Sequence, residues 1–162
     1  MFRIVVIVSF FVSLVFADSF HFSEVRYSDA LDKSIEFRGK ITFLEAGLLI
    51  EYNDINKSLK YSTDSLVYVQ DGNEIKLGEV ETQKIIQYFN VLILLHGDNE
   101  ELLTTQFDVE KVQNKSVLTP KGDIKKFIIK IEIIKVENKL KEVKLFLKNN
   151  DTIKISIQDE IQ

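Results

Sequence analysis

Only two histidines occur in 162 residues, His21 and His96, and there is no cysteine. Neither histidine stands at metal-ligand spacing from the other or from a carboxylate cluster, so neither reads as a ligand or a catalytic base. Without thiolates, zinc and iron–sulfur sites built on sulfur are excluded, and so is a disulfide staple. Adjacent acids occur at Glu100-Glu101 and Asp159-Glu160. Side chains one residue apart diverge, so these are poor acid/base pairs and read as surface charge. Asp71-Gly72-Asn73-Glu74 offers calcium-type oxygens but lacks the loop length and distal glutamate of such a site; it reads as a hairpin turn. Asn56-Lys57-Ser58 and Asn114-Lys115-Ser116 match the glycosylation acceptor pattern, which matters only in a eukaryote. There is no Gly-x-Ser-x-Gly, no phosphate-cradling glycine loop and no His-Glu-x-x-His. The residues point away from covalent chemistry. The expectation is a binding protein and not an enzyme, with no metal and no cofactor.

Apolar side chains dominate what remains, and their spacing is that of strands. In Phe37 to Phe43 every second residue is apolar or glycine, with charged or polar ones between. Phe127, Ile129, Ile131 and Ile133 alternate against Lys130 and Glu132; Val143, Leu145 and Leu147 against Lys144 and Lys148; Ile153, Ile155 and Ile157 against Lys154 and Ser156. Period two over four to eight residues marks half-buried strands. Leu48–Tyr52, Lys57–Tyr61, Ser65–Gln70, Phe107–Val112 and Ser116–Thr119 add weaker candidates, and Phe20–Tyr27 an early one. Glu45-Ala46-Gly47, Tyr52 to Asn56, Asp71-Gly72-Asn73, Lys121-Gly122-Asp123 and Asn149-Asn150-Asp151 supply turn chemistry between them. Connections this short join antiparallel neighbours. One segment differs: Ile85, Tyr88, Phe89, Leu92 and Leu95 recur at helical spacing, with Thr82 able to cap the first turn and Gly97 just past the end. Glu100 to Thr104 adds a short helical turn.

The expected fold is therefore mainly β (α+β). It is a curved antiparallel sheet of about 9–11 strands with one amphipathic helix near residues 82–96. Burying Phe37, Ile41, Phe43, Ile50, Ile129, Ile131, Leu145 and Ile155 favours folding by roughly 1.5–3 kcal/mol each. A single helix covers only part of such a face, so a second sheet, closure into a barrel or an apolar guest must cover the rest. The alternative is that strands and helix fill the hollow themselves.

Met1 to Ala17 stands apart. Arg3, an apolar run from Ile4 to Phe16 and small residues before Asp18 make the pattern of a cleaved secretory signal. An uncleaved anchor or a buried first strand is the other reading, although the run is short for a membrane span of about 20 residues. Residues 18–162 then form one domain. Asp18–Pro120 is predominantly acidic and Lys121–Lys154 predominantly basic. Lys130, Lys144 and Lys154 on the outer face could dock an envelope protein or an acidic partner, which is the alternative function. Acidic balance and export disfavour nucleic acid.

Phe107-Asp108-Val109 followed by Ser116-Val117-Leu118-Thr119-Pro120-Lys121 is similar to the Leu-Thr-Pro-Lys strand of the bacterial periplasmic outer-membrane lipoprotein carriers, the LolA family. Phe37-Arg38-Gly39-Lys40-Ile41, Leu66 to Gly72, Leu94-Leu95-His96-Gly97-Asp98 followed by Leu102 and Phe107, and Asn150 to Ile155 resemble further stretches of that family, in the same order along the chain. The resemblance implies a half-barrel whose apolar concave face holds acyl chains of a lipid or lipoprotein beneath a lid. The cargo passes from an inner-membrane exporter to an outer-membrane receptor. It implies a periplasmic protein; with no cysteine to carry a lipid anchor the expectation is the soluble carrier and not the anchored receptor, and a monomer. The expected cavity contacts are Phe37, Ile41, Phe43, Leu48, Ile50, Ile129, Ile131 and Leu145 on the sheet, with Ile85, Phe89 and Leu92 on the lid. The family's lid-latching arginine has no counterpart in Glu45–Tyr52, and no latch residue is carried over. The family's helix before the first strand is missing or displaced here, because Phe20–Tyr27 follows the signal almost at once.

Overall fold

The computed structural model describes residues 18–160 other than 64 and 98. The expected signal segment, residues 1–17, lies outside the described residues, and so do the side chains of the acidic pair at 159 and 160. Eleven strands form one antiparallel sheet: β1 (Asp18–Ser28), β2 (Lys33–Leu44), β3 (Gly47–Tyr52), β4 (Lys57–Ser62), β5 (Ser65–Gln70), β6 (Asn73–Glu74), β7 (Phe107–Val112), β8 (Lys115–Pro120), β9 (Ile128–Val136), β10 (Lys139–Leu147) and β11 (Thr152–Glu160). Two helices, α1 (Glu79–His96) and α2 (Glu100–Gln106), separate β6 from β7. A short 3-10 turn, Gly122–Lys126, joins β8 to β9.

The strand order is β6-β5-β4-β3-β2-β1-β11-β10-β9-β8-β7. Each half of the chain is a meander, and the two halves are stitched at the centre by β1 against β11. The edges, β6 and β7, are not paired to each other. The turns behave as their residues dictate: Asp71-Gly72 turns β5 into β6 with φ of 52° and 78°, and Glu137-Asn138 turns β9 into β10 with φ of 51° and 63°.

This order bears on why the sheet curves. Ten gaps of about 4.8 Å would put the edges of a flat sheet about 48 Å apart. The chain leaves one edge and re-enters at the other through α1, about 27 Å long for its 18 residues, and the shorter α2. Bending the sheet brings the edges within reach and lays α1 across the concave face, touching β3 in one half and β10 in the other. The helix begins three residues earlier than its periodicity predicts. Gly78 caps it, and Thr82 lies within the first turn, its amide bonded to the Gly78 carbonyl, so Thr82 is not the cap. Among the described residues no helix is long and apolar enough to cross a membrane.

Candidate functional site

The concave face divides into two unequal halves, and α1 makes the division. Its C-terminal half is embedded: Phe89, Val91, Leu92, Leu94 and Leu95 are all buried. They share one core with Ile41 and Phe43 of β2, Leu48 and Ile50 of β3, Ile131 of β9, Val143 and Leu145 of β10 and Ile155 of β11. Five buried positions within seven residues occupy more than one helical stripe, so this end is gripped by the sheet on several sides. Phe89 meets Tyr61 edge-on at 6.2 Å between ring centroids. His96 closes the helix by stacking flat on Phe43 at 3.7 Å, with Nε2 3.1 Å from the Asp18 carboxylate.

The N-terminal half of α1 stands off the sheet. Between it and β9, β10 and β11 lies a cleft of about 490 Å3. Ile85 and Tyr88 form its roof, Leu145, Leu147 and Ile153 its floor, and Phe127 with Ile128 one end. Arg26 reaches it from β1, and Lys84, Lys126 and Lys148 stand among its lining residues. On the other flank of α1 a second hollow, more open to solvent, lies between α1, α2 and the 3-10 turn.

A buried polar network ties the two walls. Along β1 the residues facing the concavity are Phe22, Glu24 and Arg26, by the two-residue period of a strand. Glu24 is wholly buried. Its carboxylate accepts from Arg26, from the Tyr52 hydroxyl at 3.2 Å and from the Tyr88 hydroxyl at 3.0 Å. Arg26 also donates to the Tyr52 oxygen at 2.9 Å, and its guanidinium lies 5.3 Å from the centre of the Phe37 ring. Burial opposes the Arg26 charge, but Glu24 beside it outweighs that and raises its pKa. Burial, then Glu24, pushes the Tyr88 and Tyr52 hydroxyls well above the usual tyrosine range, so both remain donors. Tyr88 thus fastens the standing-off half of α1 to β1. Nearby, burial first and Arg26 second lower the pKa of Lys57, whose ammonium sits 4.9 Å from the centre of the Tyr68 ring.

The expected cavity residues meet this geometry unevenly. Ile41, Phe43, Leu48, Ile50, Ile131 and Leu145 are buried in the core, and Phe37 is half-buried beside Arg26. Phe89 and Leu92 are buried and Ile85 is half-buried. Most of them pack against one another; Leu145 and Ile85 are the two that line the cleft. Ile129 requires correction. It is 45% exposed, because β9 bulges there: Lys130 pairs with Phe146 and Ile128 with Leu147, leaving Ile129 as the extra residue. A bulge shifts the faces by one, so Ile128 takes the inward place. Tyr88, Leu147 and Ile153 carried the right period in the sequence but were not assigned to a cavity. Glu24 and Arg26 gave no apolar signal at all. The outer lysines are not a free cationic face. Lys130 pairs with Glu132 at 2.9 Å and Lys154 with Glu142 at 2.8 Å, while Lys144 lies over the Phe146 ring. Among the described residues no group of three or more His, Asp or Glu is placed to hold a metal ion.

No family model matches the chain, and no curated protein matches it in sequence. Among solved structures the chain is similar to the crystal structure of a LolA superfamily protein from Nitrosomonas europaea, at 8% identity over 91% of this chain and 86% of that one, with a TM-score of 0.45.

Proposed function

We propose that this chain is an exported, periplasmic carrier that holds acyl chains of a lipoprotein or another lipid in its apolar concavity and passes them toward the outer membrane. No covalent step is involved. An inner-membrane exporter and an outer-membrane receptor are the partners that the resemblance in its strands implies. The observation that carries the reading is the cleft of about 490 Å3 under the N-terminal turns of α1, floored by Leu145, Leu147 and Ile153. That volume falls within the roughly 300–1,000 Å3 of small-molecule sites. Each methylene moved into it from water contributes about 0.8 kcal/mol, so a long chain supplies the energy to displace a partly packed helix end. In this mechanism the N-terminal turns of α1 lift, the Tyr88–Glu24 bond breaks, and the chain slides in against Ile153 and Leu147.

The reading is tested by native mass spectrometry of protein taken from the periplasm and by uptake of a fluorescent long-chain fatty acid. Bound acyl species and saturable uptake are expected. Leu147→Trp, which fills the cleft from its floor, is expected to fold normally and to lose uptake. Bare protein with no uptake would overturn the proposal.

A further inference from the structure

We infer that the cleft selects an anionic amphiphile, with its carboxylate or phosphate held at the rim by Lys84 and Lys148. The inference rests on the carrier reading and narrows it, because acyl chains alone would require no charge at the mouth. The sequence holds more acids than bases, 25 against 21. The cleft reverses that balance: Arg26, Lys84, Lys126 and Lys148 line it, and no acidic residue does. Two of the four are already compensated. Arg26 pairs with Glu24, and Lys126 with Asp123 at 2.8 Å. Lys84 and Lys148 have no ion-pair partner among the described residues. They come from opposite walls, Lys84 from α1 and Lys148 from the residue following β10, and both are exposed. A guest with its tail among the apolar side chains would leave its head at this rim. Two uncompensated ammonium groups there favour an anion, and the preference is electrostatic and therefore sensitive to salt.

The experiment uses the purified chain with cis-parinaric acid, a fluorescent polyene fatty acid, and its uncharged methyl ester. At low ionic strength the acid is expected to bind roughly tenfold more tightly than the ester, the scale of two exposed ion pairs acting together. High salt should close most of the gap. The double variant Lys84→Gln/Lys148→Gln should lose the preference while binding the ester as before, and Lys130→Gln/Lys154→Gln on the outer face should retain it. Equal binding of acid and ester by the unaltered protein overturns this inference and leaves the carrier reading standing. Failure of both probes to bind overturns the carrier reading and this one with it.

Discussion

Removing the Tyr88 hydroxyl tests whether α1 opens as a lid, and the structure sets the scale. Lifting the whole helix would expose Phe89, Val91, Leu92, Leu94 and Leu95. At roughly 1.5–3 kcal/mol each that is about 7–15 kcal/mol, the size of an entire domain's stability. The C-terminal half therefore opens only when the protein unfolds. The N-terminal turns are held by half-buried Ile85, the Tyr88 ring and the Tyr88–Glu24 hydrogen bond. Freeing them costs far less. Tyr88→Phe keeps the ring and deletes a bond to a charged acceptor, worth about 1.5 kcal/mol at the lower end of its class, since Glu24 keeps Arg26 and Tyr52. The bond is absent from the opened and the unfolded state alike, so both openings become about tenfold more populated.

What separates the two is their response to urea, followed by amide hydrogen exchange. Amides of Thr82 to Tyr88 should exchange through a small opening that urea hardly promotes. Those of Val91 to Leu95 should exchange through global unfolding with its full urea dependence. In Tyr88→Phe both sets should speed up about tenfold, and entry of a fluorescent fatty acid should quicken by the same factor. The reasoning is refuted if both sets share one opening free energy and one urea slope, because α1 would then be a core helix along its whole length.

Two further substitutions probe what holds the walls. Glu24→Ala strips Arg26 and two tyrosines of their common acceptor; urea unfolding should show a loss of about 2–3 kcal/mol, below the roughly 3–5 of a fully buried pair because the Arg26 side chain is 39% exposed. A loss under about 1 kcal/mol would mean that water replaces the carboxylate without cost. Gly39→Ala should cost about 2 kcal/mol or more, since a Cβ there would lie 2.0 Å from the Glu51 carbonyl oxygen and 2.9 Å from the Phe22 ring, forcing β2 and β3 apart. Unchanged thermal stability of that variant would show that the strands give way freely.

Most strands could be read in the sequence because they carry their own period, and the helix because Ile85, Phe89 and Leu92 recur on one stripe; β6, two residues long, has no period and read as part of a turn. The short turns made antiparallel neighbours readable too, but not the central pairing of β1 with β11, which no turn connects. Errors arose where one residue changes the count or where chemistry replaces greasiness. At Ile129 the alternation Phe127-Ile129-Ile131 is flawless as text, yet a bulge in β9 turns Ile129 outward; a bulge is decided by the partner strand, which periodicity does not see. On β1 the inward positions are Phe22, Glu24 and Arg26, two of them charged, so apolar alternation does not mark the concave face there. Only the pairing of Glu24 with Phe37 and with Ile155, both concave, reveals its side. The position of the cleft was not readable either, because it depends on how far α1 sinks at each end.

Glu24 and Arg26 also account for why the cleft lies where it does. On the β2–β3 side the floor is made of apolar cross-strand partners, Ile41 with Ile50 and Phe43 with Leu48, and Phe89 and Leu92 share a core with them. Nothing there opposes close packing. On the other side β1 contributes Glu24 and Arg26 to the floor next to β11. Sinking the N-terminal turns of α1 fully onto them would strip the Arg26 guanidinium of its remaining solvent, at a cost of several kcal/mol. Glu24 draws the helix in through Tyr88, and Arg26 limits how far it comes. A tethered helix that cannot settle leaves a gap beside an otherwise apolar wall, and that gap is the cleft.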